Sequence, residues 1–136
     1  MAGDLQFIKD VAAFHPADAV VVRIPPGIRT KHALLAEFQR QLRLPGYFGW
    51  NWDALEDCLR DLSWLGETQD IAVVHDSLPL PRGRRNRPMY LRLLNDVAEF
   101  WQRHGSRQFQ VIFPASVRPH VLRHLPHPPR PDAETA

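Results

Sequence analysis

The segment LPGYFGWNWDALEDCL, residues 44–59, contains the strongest signals for the fold. Its opening Leu-Pro-Gly ends whatever helix precedes it, because proline restricts the residue before it and cannot continue a helix. Asn51 is a good N-cap, so a new helix is predicted from about Trp52 to Trp64. Apolar and acidic residues fall on opposite sides of that helix. The apolar positions are Trp52, Leu55, Leu59 and Leu62, and the aspartates are Asp53, Asp57 and Asp61, each four residues after the last.

The segments on either side of this helix alternate between strand and helix patterns. The short β-branched, apolar run at residues 19–24 predicts a strand buried on both faces, and the apolar runs at residues 71–75 and 109–113 predict two more short strands. Amphipathic segments predict two more helices, from about Thr30 to Arg43 and from about Pro88 to His104. Helical crossovers between short buried strands predict an α/β fold with a three-stranded parallel sheet packed against three or four helices.

The two ends of the chain lie outside this pattern. Residues 1–17 are predicted to be an N-terminal extension, in which Leu5, Ile8 and Val11 have the spacing of a short amphipathic helix. Residues 18–115 are predicted to form the domain. Residues 116–136 form a tail rich in proline, histidine and arginine, which is expected to be loosely ordered.

Composition narrows the class of protein. A chain of 136 residues, 44% of them hydrophobic, can bury a core sufficient to fold as one domain. Cys58 is the sole cysteine, which is typical of a reducing compartment. No signal peptide and no apolar run of membrane-spanning length is visible, so a cytoplasmic protein without a membrane partner is expected.

Charge is segregated along the chain, although the formal net charge is only +2. Residues 51–70 carry six acidic residues and one arginine, whereas residues 71–136 carry ten arginines and five acidic residues. Like charges four residues apart mildly destabilise a helix. A solvated helix face is the ordinary interpretation of such a run. A cationic binding partner would explain why the helix keeps these charges although they destabilise it.

No motif in the sequence predicts catalysis. Cys58 lies beside the apolar stripe of the central helix, where a cysteine is usually a small core residue. His120, His124 and His127 stand among prolines without an accompanying cysteine or carboxylate cluster, so no metal site is expected. The aspartates lack a facing set of ligands, and no glycine-rich phosphate loop is present. We therefore expect neither a cofactor nor enzyme activity.

One alternative function stays open. The loop PRGRRNRP, residues 81–88, contains Arg82, Arg84, Arg85 and Arg87, and clustered arginines can contact phosphates. No aromatic residues are interleaved with these arginines, so a solvated loop is favoured and no direct nucleic-acid partner is expected. The alternative is an RNA-binding or regulatory protein of the same fold that uses the Arg82–Arg87 loop.

Residues 44–59 resemble the signature of the barstar family, the intracellular inhibitors of barnase-type ribonucleases. Each fixed position of the family pattern Leu-Pro-x-Tyr-aromatic-Gly-x-Asn-x-Asp-Ala-Leu-x-Asp-Cys-Leu is matched in order. The resemblance continues more weakly over about residues 18–115. It implies a barstar-like fold, in which the central helix and the loop before it plug the active site of a basic ribonuclease or ribonuclease toxin domain in a 1:1 complex.

The resemblance also implies which residues bind the partner. The family's binding tyrosine falls on Tyr47, its loop asparagine on Asn51, and its two binding aspartates on Asp53 and Asp57. Tyr47 could instead line the core, and Asn51 could be a helix cap as well as a contact. Asp57 is the first choice for the anchoring contact. The predicted partner-binding set is Tyr47, Asn51, Asp53, Glu56, Asp57, Arg60 and Asp61.

Several positions depart from the family pattern. Glu56 stands where the prototype has a tryptophan, and Arg60 and Asp61 replace small residues. A further acidic contact on the last helix falls at or next to Phe100, with Glu99 close by. These departures and the basic remainder of the chain imply a different partner and weaker long-range steering. The resemblance implies an immunity or antitoxin role, because such inhibitors often guard a cell against a toxin.

Overall fold

Four parallel strands form the sheet. In the computed structural model, which describes residues 5–66, 69–81 and 84–125, these strands are β1 (Leu5–Ile8), β2 (Ala19–Ile24), β3 (Asp70–His75) and β4 (Phe109–Pro114). Their order across the sheet is β1-β4-β3-β2, and every pairing is parallel. The α/β class and the parallel sheet are as predicted, but the prediction of three strands was wrong.

The additional strand comes from the N-terminal segment, for which a short helix was predicted. Leu5 pairs with Val111 and Ile8 with Pro114, so β1 hydrogen-bonds along the outer edge of β4. Of residues 5–17, which the structure describes, only Val11–Ala13 form a helical turn, and it is a single turn of 3-10 helix. A segment this short cannot sustain an isolated helix, whereas an open strand edge supplies partners for its backbone.

Four α-helices lie in the described part of the chain. They are α1 (Lys31–Leu42), α2 (Trp52–Asp61), α3 (Asn86–His104) and α4 (Arg118–Leu122). Helix α2 ends three residues before the predicted Trp64, because Leu62 adopts a left-handed conformation with φ 53° and a 3-10 turn follows over Ser63–Leu65. Helix α3 begins two residues before the predicted Pro88.

Part of the predicted loose tail is folded. Helix α4 occupies its first residues, and Val121 and Leu125 are buried in the core. His127 and the rest of the tail to residue 136 lie outside the described residues. The expectation of a loosely ordered tail was therefore wrong as far as Leu125, since apolar side chains spaced along this segment pack onto the domain.

The main core lies on the helical side of the sheet. Strands β3 and β4 are largely buried. The prediction that residues 19–24 are buried on both faces was wrong, because β2 is an edge strand with only Val22 and Ile24 fully buried. The opposite face carries a smaller cluster, in which Val11 and Phe14 of the N-terminal segment cover Ala72, Val74 and Ile112.

Helix α2 is held in place along its whole length. Its apolar side, formed by Trp52, Leu55 and Leu59, is buried as predicted. At its start the Trp52 Nε1 donates to Asn86 Oδ1 of α3 at 3.2 Å, and near its end the Trp101 Nε1 donates to the Leu59 carbonyl at 2.8 Å. The two helices therefore lie side by side, which fixes the direction in which the outer face of α2 points.

Candidate functional site

The start of α2 is fixed by Asn51, whose predicted role as a helix cap is confirmed. Its Oδ1 accepts a hydrogen bond from the Ala54 N–H at 2.8 Å, and its Nδ2 donates to the Gly49 carbonyl at 3.3 Å. The amide therefore ties the preceding loop to the first turn of the helix. The side chain is exposed, so capping leaves it within reach of a partner.

The aspartates Asp53, Asp57 and Asp61 form an exposed row on the outer face of α2. The ion pairs found in the described residues are Arg23–Asp76, Arg40–Glu37 and Arg60–Glu56, so none of the three aspartates is paired with an arginine there. Asp61 Oδ2 accepts a hydrogen bond from Ser63 Oγ at 3.2 Å. These carboxylates are therefore open to an external cation.

Glu56 differs from the aspartates because its charge is already paired. The Arg60 Nη2 lies 2.6 Å from Glu56 Oε2, one helical turn away. The Arg60 guanidinium also lies over the Phe100 ring, 5.2 Å from its centroid. Both side chains are half-buried, so the side of α2 that faces α3 is nearly neutral. The negative charge is concentrated on the side that faces the loop.

Tyr47 lies in that loop and is 76% exposed, so the alternative that it lines the core is wrong. The neighbouring Phe48 is the residue that is buried there, with its N–H donating to the Pro45 carbonyl at 2.9 Å. Tyr47 and the aspartates Asp57 and Asp61 line a shared groove of about 270 Å³. The structure thus brings the predicted tyrosine and two of the predicted carboxylates together.

Cys58 forms part of the apolar floor of this groove. It is 5% exposed, and burial raises the pKa of its thiol, with Asp61 and Asp57 adding to the effect. A raised pKa keeps the thiol protonated, and the thiolate is the reactive form. Cys58 is therefore suited to packing rather than to nucleophilic chemistry.

Trp50 lies in the loop before α2 and was not among the residues predicted to bind a partner. It has a left-handed backbone, with φ 55°, and is 40% exposed. Its indole stacks on His32 at the start of α1, with ring centroids 4.9 Å apart and an interplanar angle of 17°. The contact joins residues 18 apart in sequence through a non-helical loop, so no local pattern signals it.

A second acidic region lies on α3, near the position for which a further contact was predicted. Phe100 is half-buried beneath Arg60, and the carboxylates beside it belong to Asp96 and Glu99. Burial raises the pKa of Asp96, Glu99 raises it further, and Arg60 and Arg92 oppose that rise. These groups line a groove of about 130 Å³, and their part in binding stays a prediction.

The described residues contain no group of three His, Cys, Asp or Glu side chains placed to hold a metal ion. In the same ranges, no helix combines the length and the hydropathy needed to cross a bilayer.

Comparison with known proteins gives one match. A family model described as Barstar (barnase inhibitor) matches residues 19–114, well over half of the chain. The match contains β2 to β4, α2 and the loop that carries Tyr47, and it leaves β1 and α4 outside. No curated protein and no solved structure matches the chain.

Proposed function

This chain belongs to the barstar family, and on that premise we propose that it inhibits a ribonuclease by placing α2 and residues 44–50 in the enzyme's active site. The observation that carries the proposal is the exposed row of Asp53, Asp57 and Asp61, which have no arginine partner in the described part of the chain.

The chemistry of a ribonuclease suits this row. Such an active site gathers arginine, lysine and histidine to hold the phosphates of RNA. A carboxylate can replace a phosphate there through charge-assisted hydrogen bonds, which are bidentate when the donor is arginine. The rise of an α-helix places successive members of the row about 6 Å apart along its axis. Fixed on a rigid helix, the carboxylates need little reordering when the partner binds.

The pairing of Glu56 with Arg60 directs the proposed contact toward one side of α2. Cationic groups of the nuclease are attracted to the side that carries the aspartates and Tyr47, and Arg60 offers hydrogen-bond donors on the other side. Asp57 is the proposed anchor because it lies in the middle of the row and lines the groove next to the exposed Tyr47. Asn51 contributes by holding the loop against the helix.

The proposed partner is a basic ribonuclease or ribonuclease toxin domain bound 1:1 in the cytoplasm. In that setting the protein acts as an immunity protein or antitoxin. Opposite potentials on the two surfaces speed their encounter, and added salt slows it. The chain as a whole has a formal net charge of +2 and would not attract a basic enzyme. The attraction therefore comes from the acidic face of α2.

The test begins by capturing the target. The purified chain serves as bait on extracts and culture fluid of producing cells, and captured proteins are assayed for ribonuclease activity in a gel containing RNA. The captured enzyme is then titrated with wild-type protein, Asp57→Asn, Asp53→Asn and the control Asp18→Asn, which removes an exposed charge away from α2.

Breaking a buried, hydrogen-bonded charge pair at an interface costs about 2–5 kcal/mol, a general range that already includes values for the barnase–barstar complex. The Kd is therefore expected to rise between about 30-fold and several-thousand-fold for Asp57→Asn, with Asp18→Asn unchanged. Wild-type affinity in both α2 variants would exclude this face. Failure to capture or inhibit any ribonuclease would exclude the function itself.

A further inference from the structure

A second charged cluster lies on a part of the surface to which α2 does not contribute. The turn before α3, the first turn of α3 and the segment after α4 bring four basic side chains together, those of Arg84, Arg87, Arg123 and His124. These side chains line a cavity of about 410 Å³ whose apolar wall is formed by Leu80 and two prolines. Residues nearly forty positions apart in the chain thus share one basic site.

The arginines of this cluster have no acidic partners among the residues that the structure describes. None of the three ion pairs found in the described residues involves Arg84, Arg87 or Arg123. Arg87 donates from Nε to the Pro79 carbonyl at 2.9 Å, which fixes its side chain without neutralising its charge. Arg92 brings another guanidinium to the cluster, since its Nε donates to the His124 carbonyl at 3.3 Å.

The field around the cavity is positive enough to affect its own members. Burial lowers the pKa of Arg87, and Arg123 lowers it further. Burial also lowers the pKa of His124, followed by the effects of Arg123, Arg87 and Arg92. The part of each shift that the neighbouring arginines cause means that a further positive charge at this place is disfavoured. An anion bound in the cavity would stabilise the positive charges of these side chains.

The start of α3 adds to this field. Its N-cap residue is Arg85, which makes no side-chain capping hydrogen bond, and the first turn of the helix contains no acidic residue. The partial positive charge of the helix end is therefore not offset locally. Because Arg84 and Arg87 flank this helix end, the dipole and the guanidinium charges favour the same kind of ligand.

We propose that the cavity lined by Arg84, Arg87, Arg123 and His124 binds a phosphate group, supplied by a free nucleotide or by the backbone of RNA. Phosphate fits better than a carboxylate because it carries more charge and offers acceptor oxygens to several guanidinium forks at once. The apolar wall can pack against the sugar or base attached to the phosphate. The site is independent of the proposed nuclease-binding face, so either can fail alone.

The test measures binding of three probes to the full chain by isothermal titration calorimetry at low ionic strength: inorganic phosphate, adenosine monophosphate and a short oligouridylate. The test variant is Arg84→Gln/Arg123→Gln, since both side chains are exposed and neither makes a side-chain hydrogen bond in the described residues. The control is Arg43→Gln/Arg103→Gln, which removes two exposed arginine charges elsewhere on the described surface. Asp57→Asn serves as a second control.

Each charge-assisted contact to the phosphate increases the affinity by about a factor of ten. The test variant removes two such contacts, so its Kd is expected to rise about tenfold to a hundredfold. For the oligouridylate, the dependence of log K on log salt should flatten by about 1.4, because each lost contact to a single strand accounts for about 0.7. Both controls should bind like wild type.

The probes distinguish the source of the phosphate. Binding of phosphate and adenosine monophosphate identifies a small-molecule site, and binding of the oligouridylate alone identifies a site for the RNA backbone. Equal weakening in the arginine control would show a diffuse electrostatic effect and overturn the site. Absence of binding by all three probes would also overturn it.

Discussion

Acidification from about pH 7.5 to pH 4 is expected to weaken the fold through one buried histidine. His75 is fully buried at the end of β3, where its ring stacks on Phe113 with centroids 4.1 Å apart. Its Nδ1 lies 3.0 Å from the Ile112 carbonyl and its Nε2 lies 2.7 Å from the Tyr90 hydroxyl. A carbonyl can only accept, so Nδ1 carries the proton and Nε2 accepts from Tyr90. Both nitrogens of the neutral ring therefore form hydrogen bonds.

Protonating this ring would bury a positive charge that no carboxylate of residues 5–66, 69–81 or 84–125 pairs with. Burial lowers the pKa of His75 from 6.5 to about 4, and the hydrogen bond to Ile112 opposes the shift only in part. The unfolded chain therefore takes up this proton before the folded protein does. The stabilisation is complete above pH 6.5 and is lost as the pH falls toward 4. The gap between the two pKa values corresponds to about 3 kcal/mol, a large share of the stability of a typical domain.

The assay is urea unfolding followed by tryptophan fluorescence at successive pH values, for wild-type protein and for His75→Gln. His124 also has a lowered pKa and remains in both proteins, so the difference between the two pH profiles isolates His75. Parallel profiles would refute the reasoning. If the variant does not fold, proton NMR of the wild type decides: a His75 ring that titrates near its ordinary pKa of 6.5 would equally refute it.

Two further predictions concern connections that only the folded chain makes. Arg107 donates to three backbone carbonyls between α2 and β3, and its guanidinium lies 4.8 Å from the Trp101 ring centroid. Arg107→Lys should lower the free energy of unfolding, measured in urea, by about 2–3 kcal/mol, because an ammonium group cannot donate to all three carbonyls as the planar guanidinium does. Wild-type stability of this variant would contradict the structural role of Arg107. In β1, Phe7 stacks on Phe113 with centroids 5.8 Å apart, so Phe7→Ala should lower the thermal midpoint by a few degrees, equivalent to about 1–2 kcal/mol. Lys9→Ala is the exposed control in the same segment, and equal midpoints for both variants would mean that the Phe7 side chain adds no stability.

The central helix and its charged face could be predicted from the sequence because the signals for them are local. Asn51 caps the turn that immediately follows it, and the separation of apolar from acidic residues depends only on the period of the helix. The exposure of Asp53, Asp57 and Asp61 follows from the same period. Their role in binding a nuclease stays a prediction, since it depends on a partner surface.

Local sequence patterns were enough to predict the alternation of strands and helices and the acidic row on α2, because a residue's near neighbours decide helical periodicity and capping. Tertiary structure alone decided that Leu5–Ile8 form a strand, since these four residues take their conformation from the edge of β4. It also decided that Trp50 stacks on His32 and that Arg84 and Arg123 share a cavity. In each case the groups that meet are distant in sequence, and only packing of the complete sheet and helices brings them within reach.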